Sequence, residues 1–347
     1  MELTDNSETE TLMFKEASEA PAVVARQIAA NRERLGAIGE RFRSQKPRAL
    51  VTLARGSSDH AATYARYLIE RHLGVLTGSL SPSIASVYGS TPKFDDAVLL
   101  AISQSGQSPD LLSAAEQARA NGAFVIAMVN DEASQLAALA DAMIPLGAGR
   151  ERSVAATKSF IATLSATLGL LAAWTEDLAI GAALNDLPQK LQQAWTLDWG
   201  AAVPLLVNAS SMYVVGRGHG FGVAQEAALK LKETCAMAAE AFSAAEVRHG
   251  PMALVKPGFP ILFLGQQDES LQGVAELAEE FAGMGATVVS AGVTSAPGTR
   301  LPTTPADPLI EPILRIASFY RLANALALAR GRNPDRPPHL AKVTETV

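Results

Sequence analysis

Cysteine, aromatic side chains and basic excess are all scarce in this chain, and each shortage removes a class of function. The single cysteine in 347 residues, Cys235, cannot close an internal disulfide, and no cysteine cluster offers a zinc site. A reducing, cytoplasmic setting is expected. Aromatics make up only 5% of the residues, too few for a ring-lined lectin or a base-stacking surface. Lys and Arg number 29 against 35 Asp and Glu, a net charge of -6, with no basic cluster of the kind that phosphate-backbone binding needs. Nucleic acid is therefore excluded as an expected partner. The most apolar windows, Ala162 to Trp174 and Phe124 to Val129, are interrupted by Ser and Thr or fall short of the ~20 residues that span a bilayer. The start, MELTDNSETETLMFKEASEAP, is acidic and polar, the reverse of a secretory leader, so neither membrane nor export is expected.

What is present is an ordinary globular composition, 48% hydrophobic and 18% charged, rich in Ala and Leu. At about 150 residues per domain the length allows two domains. An internal repeat agrees with that count. Arg48 to Glu70 reads as a short apolar strand, a Gly-containing turn and a helix, and Ser210 to Glu233 repeats the order, with Arg55-Gly56 matching Arg217-Gly218. Each is followed by a strand-loop-helix-strand unit, Ala97 to Asn130 and Phe259 to Gly292, whose helices end at Gly122 and Gly285. Continuous apolar strands alternating with helices predict parallel sheets covered on both faces, so each half is expected to be a three-layer α/β domain. Ser153 to Trp199 carries no strand signal and reads as helices joining the halves, and the proline-rich end from Gly331 reads as an irregular tail.

Two loops of the first half carry candidate chemistry. Ser103-Gln104-Ser105-Gly106-Gln107-Ser108 stands between a buried strand and a helix opening at Pro109. Its hydroxyls, its amide and the N–H groups of the helix start suit a phosphate, without the lysine of a nucleotide P-loop. The matching loop of the second half, Gln266-Gln267-Asp268-Glu269, would repel one, so only the first half is predicted to bind phosphate. Gly56-Ser57-Ser58 also follows a strand, at the crevice where open α/β sheets bind ligands, and reads equally as sugar contact or as a capped turn. In the second half, Glu226, Lys230 and Glu233 share one helix face. On spacing alone they read as a solvated face laced with Glu and Lys pairs, with a proton-transfer base as the sharper alternative. The His249-Gly250-Pro251 turn presents an imidazole suited to proton shuttling, or simply a surface residue, and no histidine spacing suggests a metal.

Together ISQSGQSPD, VAATKSF, EAALKLKE, EVRHGPMAL and HLAKVTETV resemble the paired sugar isomerase (SIS) domains that form the isomerase half of glucosamine-6-phosphate synthase. The resemblance runs from about Leu50 to the C-terminus. It implies an α/β fold of two tandem three-layer αβα SIS domains with parallel, flavodoxin-like sheets joined by helices. The expected divisions are an N-terminal segment (1–30), a phosphate-binding SIS domain (31–175), a helical connector (176–200), a second SIS domain (201–330) and a catalytic tail (331–347).

The resemblance also implies roles. The phosphate of a hexose 6-phosphate is expected on Ser103, Gln104, Ser105 and Ser108, with Ser57 and Ser58 nearby. Glu233 is implied as the base that moves a proton between C1 and C2, His249 as the ring-opening residue supplied by a neighbouring subunit, Lys342 as the tail lysine reaching the open-chain carbonyl, and Glu226 as a supporting acid. A homodimer with shared sites is implied, and neither a cofactor nor a metal. Two departures bear on activity: no glutaminase segment with a catalytic cysteine precedes the first repeat, and Ala156 replaces a serine in Val154-Ala155-Ala156-Thr157-Lys158. The expectation is an enzyme that deaminates an amino-sugar phosphate with isomerisation, glucosamine 6-phosphate giving fructose 6-phosphate and ammonia. The alternatives are a fructosamine-phosphate deglycase, an aldose-ketose isomerase, an aminotransferase-like isomerase fed by a separate ammonia source, or a sugar-phosphate sensor.

Overall fold

A computed structural model describes residues 10–90 and 92–342. The first nine residues of the N-terminal segment and the closing Val343 to Val347 of the tail motif lie outside the described residues. By packing, the described chain divides into two units, one of residues 22–150 and 159–186 and the other of residues 10–21, 151–158 and 187–342.

The first-named unit holds a five-stranded sheet of β1 (Ala49–Leu53), β2 (Leu76–Ser79), β3 (Ala97–Ser103), β4 (Phe124–Val129) and β5 (Ala142–Pro145). Every pairing is parallel, in the order β2-β1-β3-β4-β5. The strands are apolar on both faces because both are covered. Leu50, Leu100, Ile102, Ile126 and Met128 pack with Phe42, Leu35, Leu170 and Trp174 on one side. Leu53, Leu99, Ala101, Val125 and Ala127 pack with Leu111, Ala114, Ala115 and Ala118 on the other. Alternate residues of one strand thus belong to different cores, as the two-residue period of an extended chain dictates.

The other unit repeats the plan with β6 (Ser211–Gly216), β7 (Ala238–Ser243), β8 (Pro260–Leu264), β9 (Thr287–Ala291) and β10 (Thr299–Leu301). The order is β7-β6-β8-β9-β10, again all parallel. This is the order of the first sheet with each strand replaced by its counterpart, so the duplication extends to topology. On one face Tyr213, Val215, Ile261, Phe263 and Val288 pack with Val274, Leu277 and Phe281 of the helix Leu271–Gly283. The two strands that the sequence pattern left unmarked in each half are edge strands; β2 exposes three of its four residues, β10 has only three, and β7 buries only two of its six. Such segments give too little apolar run to read. Among the described residues, no helix is long and apolar enough to cross a membrane, and no group of three His, Cys, Asp or Glu could hold a metal ion.

In both sheets the chain leaves the first strand toward one edge and returns beyond it, so neighbouring strands β1/β3 and β6/β8 mark the point where the winding reverses. Loops at the carboxyl ends of such a pair splay apart and leave a crevice, the usual ligand position of open α/β sheets. The two loops of the first half that carry candidate chemistry, after β1 and β3, lie at the first of these reversals.

Candidate active site

At the first reversal, Ser103 is the last residue of β3 and is buried, and its Oγ accepts the Gly106 N–H at 3.1 Å. Gly106 has φ +62°, and a Cβ there would lie 2.3 Å from Ser134 Oγ, so the bend requires glycine on two counts. The Gly106 carbonyl accepts from Leu136 N at 3.1 Å and the Gln104 carbonyl from Asn130 N at 3.2 Å. With its carbonyls anchored from behind, the loop leads into the helix Pro109–Ala120. Ser108 stands at the N-cap in extended conformation, and its hydroxyl makes no capping bond to its own helix. The hydroxyl and the first helical N–H groups are the donors that an anion would use.

Across the reversal, Gly56 (φ +54°) precedes the helix Ser57–Leu73, and Ser57 and Ser58 form its half-buried first turn. Arg55 links the two loops through a 2.8 Å ion pair with Asp110, whose carboxylate is buried and also accepts Leu111 N. Two helix N-termini therefore follow the neighbouring strands β1 and β3 and are joined by this ion pair.

The second reversal has the same backbone plan and different contents. Gln266 is buried, its Nε2 donating to the Arg217 carbonyl at 2.8 Å and reaching Asp268 and Ser270 at 3.3 and 3.2 Å. Burial alone would raise the Asp268 carboxyl, but the Ser270 hydroxyl and N–H and the Gln266 amide overcome it and hold the pKa below its ordinary value. The loop is thus filled by its own side chains and carries a fixed negative charge.

The ionisable side chains singled out in this second unit, Glu226, Lys230 and Glu233, lie on the helix Gly220–Cys235. Here the solvated-face reading of Glu226, Lys230 and Glu233 is overturned. Side-chain exposure is 0% for Glu226, 1% for Lys230 and 16% for Glu233. Lys230 Nζ lies 3.4 Å from Glu226 Oε1 and donates to Glu233 Oε2. Burial disfavours the ammonium, but Glu226 and Glu233, with Glu151 further off, outweigh it and hold the Lys230 pKa above the ordinary lysine value. The helix is buried on this face because the helix Glu311–Ala329 packs against it, bringing in Tyr320. Burial, reinforced by the fields of Glu226, Glu151 and Glu233, raises the Tyr320 phenol well above its usual value.

Glu151 completes the cluster. Its side chain is fully buried; Oε1 accepts Thr157 N at 3.0 Å and Oε2 accepts Lys342 Nζ at 2.9 Å. Three carboxylates and two ammonium groups, Glu151, Glu226, Glu233, Lys230 and Lys342, so share one low-dielectric region of this unit, where their charges act strongly on one another. Ala156 is half-buried beside Thr157, whose hydroxyl lies 3.4 Å from Glu151.

His249 is placed differently. It follows the short 3₁₀ turn Glu246–Arg248, is exposed, and donates its backbone N–H to the Glu246 carbonyl at 2.9 Å. Among the described contacts none joins it to Glu226, Glu233 or Lys342. Of the residues singled out from the sequence, the structure thus sets Ser57, Ser58, Ser103, Gln104, Ser105 and Ser108 at the carboxyl ends of the neighbouring strands β1 and β3. It collects Glu226, Glu233 and Lys342 in one cluster and leaves His249 outside it. Lys230, Glu151 and Tyr320 belong to that cluster although sequence reasoning assigned them no role. Lys230 had a signal in its spacing from both glutamates; Glu151 and Tyr320 had none, because their neighbours are distant in sequence.

The fold and this arrangement define a double-wound, duplicated α/β protein of the sugar isomerase type. The SIS domain family matches residues 43–173 and 205–306, and the chain belongs to it. It is homologous to the isomerase half of glutamine–fructose-6-phosphate aminotransferase. The Aeropyrum pernix protein of that name is 37% identical over 314 residues, covering 84% of this chain and 50% of its own length. The chain spans about half the length of the curated relatives it matches. Among solved structures, one from Silicibacter pomeroyi DSS-3, provisionally named a phosphosugar isomerase, superposes with a TM-score of 0.89 at 40% identity, covering 94% of this chain and 100% of that one. Glucosamine-6-phosphate deaminase from Thermotoga maritima shares the fold, with a TM-score of 0.71 at 24% identity over 93% of this chain and 100% of its own.

Proposed function

We propose that this chain deaminates glucosamine 6-phosphate with isomerisation, yielding fructose 6-phosphate and ammonia. The observation that carries the reading is the buried Glu226-Lys230-Glu233 cluster with Glu151 and Lys342 beside it. Burying charges is costly even when they are paired, and perturbed, mutually coupled groups of this kind concentrate at sites of proton transfer. The proposed substrate class is supported by homology to an aminotransferase that handles fructose 6-phosphate, and by the Ser103 to Ser108 loop.

In this mechanism Ser103, Gln104, Ser105 and Ser108 hold the phosphate, with Ser57 and Ser58 at the sugar. Anchoring that remote group supplies the binding energy that orients the reacting carbons. His249, assigned to a neighbouring subunit of a homodimer, assists ring opening. Glu233, which accepts a hydrogen bond from the Lys230 ammonium, removes the proton from C2 and returns it to C1. The C1 aldehyde becomes an alcohol and the amine-bearing C2 becomes an imine. Water adds to C2 and ammonia leaves, so the balance needs only water as co-reactant. Glu226 supports the charge on Lys230, and Lys342 reaches the carbonyl from the tail. No metal or cofactor is assigned a role, and a cytoplasmic setting fits the composition.

The test is to incubate the purified protein with glucosamine 6-phosphate and follow ammonium and fructose 6-phosphate. Stoichiometric appearance of both supports the reading. Formation of glucosamine 6-phosphate from fructose 6-phosphate and ammonium, without measurable hydrolysis, would assign the opposite direction. Release of a larger amine from a fructosamine phosphate would assign a deglycase, and faster turnover of a hexose phosphate lacking nitrogen would assign an aldose-ketose isomerase. Binding of the sugar phosphate with none of these reactions would make it a sensor.

A further inference from the structure

Lys342 lies on an irregular tail, yet its amine is held on a buried carboxylate. What fixes such a tail is a set of bonds at its base. Asp335 accepts Leu12 N on Oδ2 at 2.8 Å and Met13 N on Oδ1 at 2.7 Å, which are the first two N–H groups of the helix Leu12–Ser18. Its own backbone carbonyl accepts Val154 N at 3.3 Å, and its N–H donates to Asn333 Oδ1 at 2.9 Å. One residue therefore joins the beginning of the described chain, the segment 151–158 and the tail.

The same three segments are tied again on either side of it. Glu16, one turn along the helix, accepts the N–H groups of Arg152 and Ser153, and Glu19 pairs with the buried Lys158 at 2.7 Å. Thr11 caps the helix by accepting Phe14 N and donates its hydroxyl to the buried Asn324 at 2.6 Å. At the far end of the tail, seven residues beyond Asp335, Lys342 closes the circuit on Glu151, which belongs to the same 151–158 segment. Residues 332–342 form no helix or strand, and among the described contacts the bonds of Asp335 and Lys342 tie this tail to the 151–158 segment.

We infer that Asp335 is a positioning residue for Lys342: it registers the tail against the N-terminal helix and the Glu151 segment, and so places the lysine amine for reaction. A charged acceptor on two N–H groups at a helix N-terminus is a strong, directional contact. The inference rests on the proposed activity only for its kinetic consequence.

Two measurements on the full-length chain, made on Asp335→Ala and Asp335→Asn, test it. Misplacement of a reacting group by about an ångström costs on the order of 10²-fold in rate. For Asp335→Ala, kcat with glucosamine 6-phosphate is expected to fall by roughly 10- to 100-fold while KM stays within about twofold, because the phosphate loop is untouched. Asp335→Asn, which keeps an acceptor oxygen, should retain more of the rate than Asp335→Ala. Independently of turnover, reductive methylation read by mass spectrometry should modify Lys342 several-fold faster in Asp335→Ala, with the exposed Lys256 unchanged. If the wild-type chain turns over no amino-sugar phosphate, the functional reading fails and methylation alone decides the role of Asp335. Unchanged kcat and unchanged Lys342 reactivity in both variants would overturn the inference. So would a loss in which every lysine reacts faster and kcat falls in step with thermal stability, since that describes only a structural cap. Should Asp335→Ala fail to fold, the same readouts on Asp335→Asn decide.

Discussion

Lys230 is the most constrained side chain of the cluster, with 1% exposure between two carboxylates on its own helix. Removing it as Lys230→Met leaves Glu226 and Glu233 without their counter-charge in a dry environment. Breaking a buried pair in this way costs about 3–5 kcal/mol, which urea unfolding would read as a lower midpoint with an unchanged slope. Glu233→Gln is nearly the same shape and should lower kcat by about 10²-fold or more with sugar-phosphate affinity nearly intact, as expected for a general base. Retained turnover in that variant would take Glu233 out of the base role. Part of the pH dependence follows from Lys230 and Tyr320, whose folded pKa values are raised, as are those of Tyr213 and Cys235. A raised folded pKa means that the folded state holds its proton more tightly. That stability is complete below the unfolded values, about 10 for Tyr and 10.4 for Lys, and is lost as pH rises through the folded ones. Stability should therefore fall at alkaline pH, and in Tyr320→Phe thermal melts should show a shallower decline above about pH 10.

At the scale of elements, the proposed phosphate loop depends on one backbone conformation. Gly106 combines positive φ with a blocked Cβ position, whereas the Cβ position of Gly56 meets nothing within 4 Å. Gly106→Ala should therefore lose inorganic phosphate and sugar-phosphate binding in calorimetry and lower the unfolding temperature more than Gly56→Ala does. The reverse order would mean that the loop is not set as described. This loop was legible in the sequence because Ser, Gly and Pro at fixed offsets between an apolar strand and a helix are local signals. The helix Gly220–Cys235 was legible as a helix, but not its exposure. Glu and Lys four apart look alike whether water or another helix covers them, and only the packing of Glu311–Ala329 decides.

For the whole molecule, duplication gives two winding reversals and predicts one ligand. The second is occupied by Gln266 and by Asp268, which carries a negative charge in place of the small Gly106 of the first. Titration with fructose 6-phosphate should give one site per chain, and Ser105→Ala with Ser108→Ala should abolish it while Asp268→Asn leaves it in place. Two sites per chain would contradict the assignment.

The duplication, the parallel α/β class and the candidate phosphate loop were all determined by the sequence itself. Each rests on patterns within a few turns of chain: apolar runs, strand-to-helix loops, glycines at helix ends. What only the tertiary structure decided was which charges are buried and what they meet. Glu151 meets Lys342 across 191 positions, Asp335 meets Leu12 across 323, and Tyr320 reaches the Glu226 cluster from another helix. The physical reason is that burial and long-range electrostatics depend on which surfaces pack together, and local periodicity fixes only which face of an element is available to pack.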